Sequence, residues 1–341
     1  MTSVYVPDTE AADRMRARAQ LESRGFDVRV GDTFAASEAA VLSGIGDAEV
    51  VCVALGRVTA AVMDAAPHLK LVVKTGIGVD NIDVAAARER GIPVLRMGKV
   101  NSHGPAEWVI GASIAHFRRF KEVDTRMREG HWAELRRSYS GLLPSLTGRT
   151  LGIAGLGSIG QYLATLGNAH GMDVIAFDPY LVADAAALVG ARLVDREELL
   201  RSADVLSLNM VLTDETRNWI STAELALMKP TALLANCSRG PVVDESALYQ
   251  ALVGGVIAGA VLDVFEPEPP ADGNPLYGLD QVLLTPHLGG CTDHGYHEIG
   301  ALTAELVDRF VRGVPIPRAC VVVPASSVLV EADAAPAASA A

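Results

Sequence analysis

Long apolar runs are missing from this chain. Half of its 341 residues are hydrophobic, yet no stretch approaches the ~20 consecutive apolar residues a helix needs to cross a bilayer. No membrane partner is expected. Positive charge is scarce: 29 Lys and Arg stand against 41 Asp and Glu, a formal net charge of −12. Such an acidic chain is a poor candidate for binding nucleic acid. It also sets a requirement, because an anionic substrate would have to be met by a local cation. Cysteine is sparse, with four residues at positions 52, 237, 291 and 320. Their spacing fits no metal site, so reduced thiols and no metal are expected. The opening MTSVYVPDTE has neither the charged nor the apolar region of a secretory signal, which predicts a cytoplasmic protein. No internal repeat is visible.

Glycine, by contrast, is present in an informative place. Residues 150–178 read TLGIAGLGSIGQYLATLGNAHGMDVIAFD. Leu151–Ala154 is an apolar strand, and Gly155, Gly157 and Gly160 form G-x-G-x-x-G. Ile159, Leu163 and Leu166 share one face of the helix that follows, and Gly171 suits its C-cap. A second strand, Asp173–Phe177, ends at Asp178. Gly155 permits the tight turn, Gly157 lets the backbone approach a pyrophosphate, and Gly160 lets the helix pack on the sheet; the helix N-terminus attracts the phosphate charge. The glycine spacing alone is weak in a chain with 32 glycines, and stray GxG pieces occur at Gly44–Gly46 and Gly76–Gly78. The complete strand–turn–helix–strand–acid unit is specific. Gly155, Gly157, Ser158, Ile159 and Gly160 are therefore predicted to hold a dinucleotide. Asp178 can accept hydrogen bonds from a ribose diol but would repel a 2′-phosphate. Residues 179–183 contain no Arg or Lys to receive one. NAD is predicted over NADP.

The first hundred residues alternate short apolar strands (Val4–Val6, Val28–Val30, Val50–Val53, Leu71–Val73, Pro93–Leu95) with helical stretches, Ala11–Ser23 among them. They describe a small α/β domain, flavodoxin-like, with a mostly parallel sheet. A second α/β region opens with a helix over about 106–129 and carries the glycine unit. Its further strands, Arg192–Val194, Val205–Leu208, Ala232–Ala235, Ile257–Asp263 and Val282–Leu284, make a Rossmann-type doubly wound parallel sheet. After a last helix over about 292–312, VPIPRACVVVP comes too late to extend that sheet. The chain is expected to return to the first domain, which becomes discontinuous. The predicted division is 1–103 with 290–325 for a substrate-binding domain and 104–289 for the NAD-binding domain. An Ala-rich tail, 326–341, shows little core-forming pattern and is expected to be disordered. Ligands in such architectures sit in the cleft beside the carboxyl ends of the strands.

Three strands of the second region end in groups with useful chemistry. LLANCSRGPVVDE places Arg239 just past a strand, AGAVLDVFEPEPP ends in Asp263 with Glu268 in the loop beyond, and LLTPHLGG carries His287. A cation, a carboxylate and an imidazole are thus expected to converge. Glu266 competes with Glu268 for the carboxylate role. Arg57, on the loop with Leu55 and Gly56, suits either a second anionic group of a substrate or plain solvation. His103 lies near a predicted crossing and within reach of the cleft, while His131 and Trp132 read as packing around a domain junction.

These segments carry a resemblance. KTGIGVDNID (74–83), GLGSIG (155–160), NCSRGPVVDE (236–245), LDVFEPEP (262–269) and TPHLGG (285–290) are similar to the motifs of the D-isomer-specific 2-hydroxyacid dehydrogenases, the family that includes phosphoglycerate dehydrogenase. The likeness runs from about Thr59 to Pro324. It implies that Arg239, Glu268 and His287 form the catalytic set. His287 as imidazolium would quench the charge that hydride transfer leaves on a ketone oxygen. Glu268 would pair with it, favouring its protonated form and fixing its orientation. Arg239 would grip the substrate carboxylate through its forked donors. The resemblance also implies that the N–H groups of Ile77 and Gly78 bind that carboxylate, that Asp263 meets the nicotinamide carboxamide, and that the protein is a homodimer through the 106–132 region. Two residues depart from the pattern: Trp108 stands where many members carry His, and Pro105 where a small β-branched residue is common. The expected activity is reversible NAD-dependent reduction of a small 2-keto acid to a D-2-hydroxy acid. Oxidation of phosphite or a phosphonate-related substrate, and a non-catalytic NAD(H)-sensing corepressor, are the alternatives.

Overall fold

The structure is a computed structural model and describes residues 1–34 and 36–331. The chain divides into two compact units, one of Met1–Asn101 with the chain from Asp293 onward, the other of Ser102–Thr292. In chain order the strands are β1 (Ser3–Asp8), β2 (Asp27–Thr33), β3 (Val50–Val53), β4 (Leu71–Lys74), β5 (Val94–Arg96), β6 (Thr150–Ala154) and β7 (Asp173–Phe177). They continue as β8 (Arg192–Leu193), β9 (Val205–Leu208), β10 (Leu233–Asn236), β11 (Gly259–Leu262), β12 (Val282–Leu284) and β13 (Val321–Val323).

The first unit carries a six-stranded sheet in the order β13-β5-β4-β3-β1-β2. It is parallel except for β13, which pairs antiparallel with β5 through Val321 opposite Leu95. The second unit carries a seven-stranded parallel sheet in the order β12-β11-β10-β9-β6-β7-β8. Strands β3, β4, β9, β10 and β11 are buried along their whole length. Helices cover both faces of a parallel sheet, so its central strands are continuous Val, Leu and Ala runs rather than alternating ones. The strand order of the second sheet reverses between β6 and β9, which places the carboxyl ends of both beside the glycine turn. Among the described residues no helix is long and apolar enough to cross a membrane, and no cluster of His, Cys, Asp and Glu is arranged to hold a metal.

Four expectations need correction. The helix predicted over Ala11–Ser23 is broken into a π turn, Glu10–Arg14, and a helix, Ala17–Glu22, with Arg16 between them at φ +56°. The cause is tertiary. The long helix Asp293–Val311 packs on the break so closely that a Cβ at Gly300 would lie 1.8 Å from the Met15 carbonyl oxygen. The helix predicted over 106–129 is likewise two, His103–Phe117 and Phe120–Arg128, parted at Arg119 (φ +51°). The first half is packed on the sheet; the second buries no residue. Nor does the tail begin at 326. Val328 is buried in the first unit's core, and Ile316 donates to Leu329 O at 2.7 Å and accepts from Glu331 N at 2.9 Å. Those backbone bonds hold 326–331 on the fold, while 332–341 lie outside the described residues. Trp132, expected to pack, is 62% exposed.

Candidate active site

The glycine turn has the geometry that its sequence demands. Gly155 sits at φ +93°, and a Cβ there would press on the Asn209 backbone at 2.9 Å. At Gly160 a Cβ would stand 2.3 Å from the Gly155 carbonyl oxygen. At Gly157 a Cβ would meet nothing within 4 Å. The first and third glycines are therefore packing requirements, and the second borders open space. The helix Ser158–Ala169 begins at Gly157 with no side chain capping it. The N–H groups of its first turn, Ser158, Ile159 and Gly160, have no partners within the helix and are free to meet an anion. Asp178, at the end of β7, accepts from Leu156 N through Oδ2 and from Tyr180 N through Oδ1, both at 2.9 Å. Each oxygen keeps a lone pair for a ribose hydroxyl. These residues fit a dinucleotide: an open cradle for the pyrophosphate and an acid for the diol.

Arg239, Glu268 and His287 all lie in the second unit, on the loops that leave β10, β11 and β12 at their carboxyl ends. Asn236, the last residue of β10 and 1% exposed, shapes the first loop. Its side chain accepts from Ser238 N (3.0 Å) and Ser238 Oγ (2.8 Å) and donates to Arg239 O (2.9 Å). Gly240 then passes so close to the next loop that a Cβ would overlap Phe265 O at 2.0 Å. This contact binds the Arg239 loop to the Glu268 loop.

The imidazole and the carboxylate form a pair. His287 Nδ1 lies 2.8 Å from Glu268 Oε2, and Glu268 Oε1 accepts from Phe265 N at 3.0 Å. About a third of each side chain remains open to solvent (36% and 33%). Burial pushes the Glu268 carboxyl up, but the hydrogen bond and charge of His287, the Phe265 N–H and the Arg239 guanidinium together outweigh it and hold the group below the ordinary carboxylate range. Glu268 is thus ionised at neutral pH, so the proton of the shared bond belongs to His287 Nδ1. Nε2 has no hydrogen-bond partner among the described residues. Such an arrangement can hand a proton to, or take one from, a ligand oxygen at Nε2 while the carboxylate steadies the ring. Glu266, the competing carboxylate, is exposed and accepts nothing from His287; its own N–H donates to Glu245 Oε1.

Asp263 is 1% exposed and is largely committed to the protein. Its Oδ1 accepts from Leu288 N at 2.8 Å and from the Thr285 hydroxyl, and its Oδ2 from Gly289 N at 2.7 Å. Its backbone oxygen accepts from His287 N at 2.7 Å. One acceptor position is left, on Oδ2. The sequence reading assigned Asp263 to the cofactor alone and missed this role in shaping the His287 loop, along with Thr285 and Asn236. The motifs containing them were legible; their partners, as far as 177 positions away, were not. Cys237, whose thiol burial pushes up to about 12, is an unreactive neighbour. In the first unit Ile77 and Gly78 follow β4, and Arg96 Nη1 reaches Ile77 O at 3.5 Å.

The comparisons with known proteins agree on one family. Residues 110–289 match the model of the D-isomer specific 2-hydroxyacid dehydrogenase, NAD binding domain. The chain belongs to the D-isomer-specific 2-hydroxyacid dehydrogenases. It is 42% identical over 275 residues to D-3-phosphoglycerate dehydrogenase of Methanocaldococcus jannaschii, a match covering 80% of this chain and 52% of that one. It is 36% identical over 299 residues to glyoxylate reductase of Aeropyrum pernix, covering 86% and 89%. Among solved structures it resembles D-lactate dehydrogenase from Aquifex aeolicus complexed with NAD and lactic acid, at 27% identity and TM-score 0.77, over 92% of this chain and 96% of that one. The chain spans about half the length of the phosphoglycerate dehydrogenases it matches. The matched stretch of the second unit is thus an NAD-binding domain.

Proposed function

We propose that the protein reduces a small 2-keto acid to the D-2-hydroxy acid, reversibly, with NAD(H). NADH, when bound, supplies the hydride. His287 delivers the proton from Nε2 to the carbonyl oxygen as negative charge develops there, and in the reverse direction neutral Nε2 accepts the hydroxyl proton. Glu268 keeps Nδ1–H engaged, so the ring cannot rotate away and the cation that forms is stabilised. Arg239 grips the substrate carboxylate with its fork and supplies the cation that an acidic protein must otherwise lack. Ile77 and Gly78 are proposed to add backbone N–H donors to that carboxylate, and Asp263 to offer its remaining acceptor position to the nicotinamide carboxamide. Gly155, Gly157, Ser158, Ile159 and Gly160 are proposed to hold the pyrophosphate, and Asp178 the ribose. A homodimer through the 106–132 region and a cytoplasmic location belong to the same proposal; Phe120, Met127 and Trp132, at 54, 41 and 62% exposure, are apolar groups that such an interface would cover.

The observation that carries the reading is the Glu268–His287 pair with Nε2 left open. A carboxylate partner for the histidine is what acid–base work on an alcohol needs, and it is the reason a 2-keto acid is favoured over phosphite or a purely sensory role. Loss of NADH absorbance would be followed with glyoxylate, pyruvate, hydroxypyruvate, phenylpyruvate and phosphorylated keto acids, and gain of NADH absorbance from NAD+ with phosphite. Turnover of at least one 2-keto acid is expected, with NADH preferred to NADPH. Turnover of phosphite alone, or of nothing, would overturn the proposal.

A further inference from the structure

Trp108 lies on the helix His103–Phe117, partly buried against the sheet of the second unit. Its indole Nε1 is 3.0 Å from Thr285 Oγ1, and the same hydroxyl contacts Asp263 Oδ1. The direction of this chain is fixed by chemistry. An indole nitrogen only donates, an ionised carboxylate only accepts, and a hydroxyl has a single proton. Trp108 N–H must therefore donate to Thr285, which frees the Thr285 proton for Asp263 and for no other acceptor.

Asp263 is the hub of the His287 loop. It holds the N–H groups of His287, Leu288 and Gly289. His287 itself has φ +57°, a left-handed conformation that a residue with a Cβ adopts only when its surroundings over-determine it. The loop also leaves no slack, because a Cβ at Gly289 would lie 2.9 Å from Asp263 Oδ2. The backbone oxygen of Asp263 keeps His287 N–H, but a small rotation of its carboxylate would release the N–H groups of Leu288 and Gly289 and loosen the turn on the far side of the left-handed residue. The imidazole would then swing from its place. Catalysis is sensitive to displacements of this kind.

We propose that Trp108 is a positioning residue for His287. By orienting the Thr285 hydroxyl it locks the Asp263 carboxylate, and through it the strained turn that presents Nε2. This inference rests on His287 being the proton donor of the proposed reaction. It also gives a purpose to an indole where an aliphatic side chain would fill the same space.

The test compares Trp108→Phe with Trp108→His in the full chain. Phenylalanine keeps an aromatic ring and removes the donor. The five-membered ring of histidine superimposes on that of indole, so its Nε2–H falls where Nε1–H was. Trp108→Phe is expected to lower kcat about 3- to 10-fold, the worth of one hydrogen bond felt at the reacting geometry, with KM for the keto acid and for NADH within about twofold. Trp108→His should recover most of the loss. Thr285→Val should lower kcat at least as much, and the Trp108→Phe/Thr285→Val double variant should lose less than the product of the two, since both cut one chain. Equal KM and kcat losses in Trp108→Phe without recovery in Trp108→His would make Trp108 mere packing, and multiplicative losses would break the chain. A readout without turnover separates this from the proposed function. The ring signals of His287 in the NMR spectrum, assigned by their loss in His287→Gln, should move in Trp108→Phe and return in Trp108→His even if no keto acid is turned over. Signals that stay in place would overturn the positioning role whatever the activity.

Discussion

Two buried aspartates, one in each unit, use the same device for different ends. Asp8 ends β1 in the first unit and is fully buried; Asp263 follows β11 in the second and is 1% exposed. Each carboxylate is kept in the interior by protein donors rather than water, the condition under which a buried charge is tolerable. Asp8 Oδ1 accepts from Ala36 N at 2.8 Å, and Oδ2 from Ala54 N at 2.8 Å and Gly56 N at 3.2 Å. It stitches the loop after β2 to the loop after β3. Asn81 closes the second of these from the other side, donating to Ala54 O at 3.2 Å and Gly56 O at 2.6 Å. Asp263 instead concentrates all its carboxylate bonds on one loop, and that loop bears His287. The loops held by Asp8 bear exposed Leu55 and Arg57, an apolar side chain and a cation. The difference teaches where to look: the acid–base chemistry proposed for this protein rests on the loop that Asp263 holds, and Asp8 holds loops to which no such role is assigned.

The sharpest break of that contrast is His287→Ala. Losing a general acid should reduce kcat by about two to four orders of magnitude, measured with whichever keto acid the wild type turns over best. Activity near wild type would mean that the Asp263 loop holds an ordinary histidine and that the two aspartates do not differ in purpose. Next in size is Asp8→Ala. It leaves three backbone donors without their acceptor, so a loss of about 3 kcal/mol is expected. Urea unfolding would read the loss, and faster hydrogen exchange at Ala36, Ala54 and Gly56 would localise it to the first unit. Unchanged exchange at those amides would show that Asn81 and the strand ends hold the loops unaided.

Such contrasts explain what was readable beforehand. The strands were legible because a sheet covered on both faces needs uninterrupted Val, Leu and Ala runs, and those runs are local. The turn itself was legible because each glycine answers a separate local demand, with crowding at Gly155 and Gly160 and open space at Gly157. The break at Arg16 was invisible because it depends on a helix near the other end of the chain fitting against Met15 through Gly300. Residues 326–331 looked like tail because composition does not show that Ile316 supplies them with backbone partners. Thr285 and Asp263 were visible as motif letters, but a side chain that serves a loop cannot be told by type from one that serves a ligand.

A smaller effect is expected from Arg239→Lys. An ammonium is a single point charge and cannot reproduce two parallel bonds to a carboxylate, so substrate KM should rise about tenfold or more while KM for NADH stays near its wild-type value. A KM for the keto acid that does not move would return Arg239 to a purely electrostatic part beside Glu268.

The smallest effect tests the pair itself through stability. Glu268 is held below the ordinary carboxylate range in the folded protein, burial opposing and the bonds and charges of His287, Phe265 N–H and Arg239 prevailing. A carboxyl group whose folded pKa is depressed binds fewer protons folded than unfolded near the unfolded pKa of about 4.3. Its stabilising contribution is therefore complete above that value and is lost as pH falls through the lower, folded one. Thermal midpoints taken from pH 7 down to about pH 3 should fall less steeply in the acid range for Glu268→Gln than for the wild type, since glutamine has no proton to gain. The side chain is about one-third exposed, so screening by solvent keeps the difference small. If both proteins lost stability along the same slope, the bond between Glu268 and His287 would not be holding the carboxylate ionised, and the second unit's loop would owe its order to Asp263 alone.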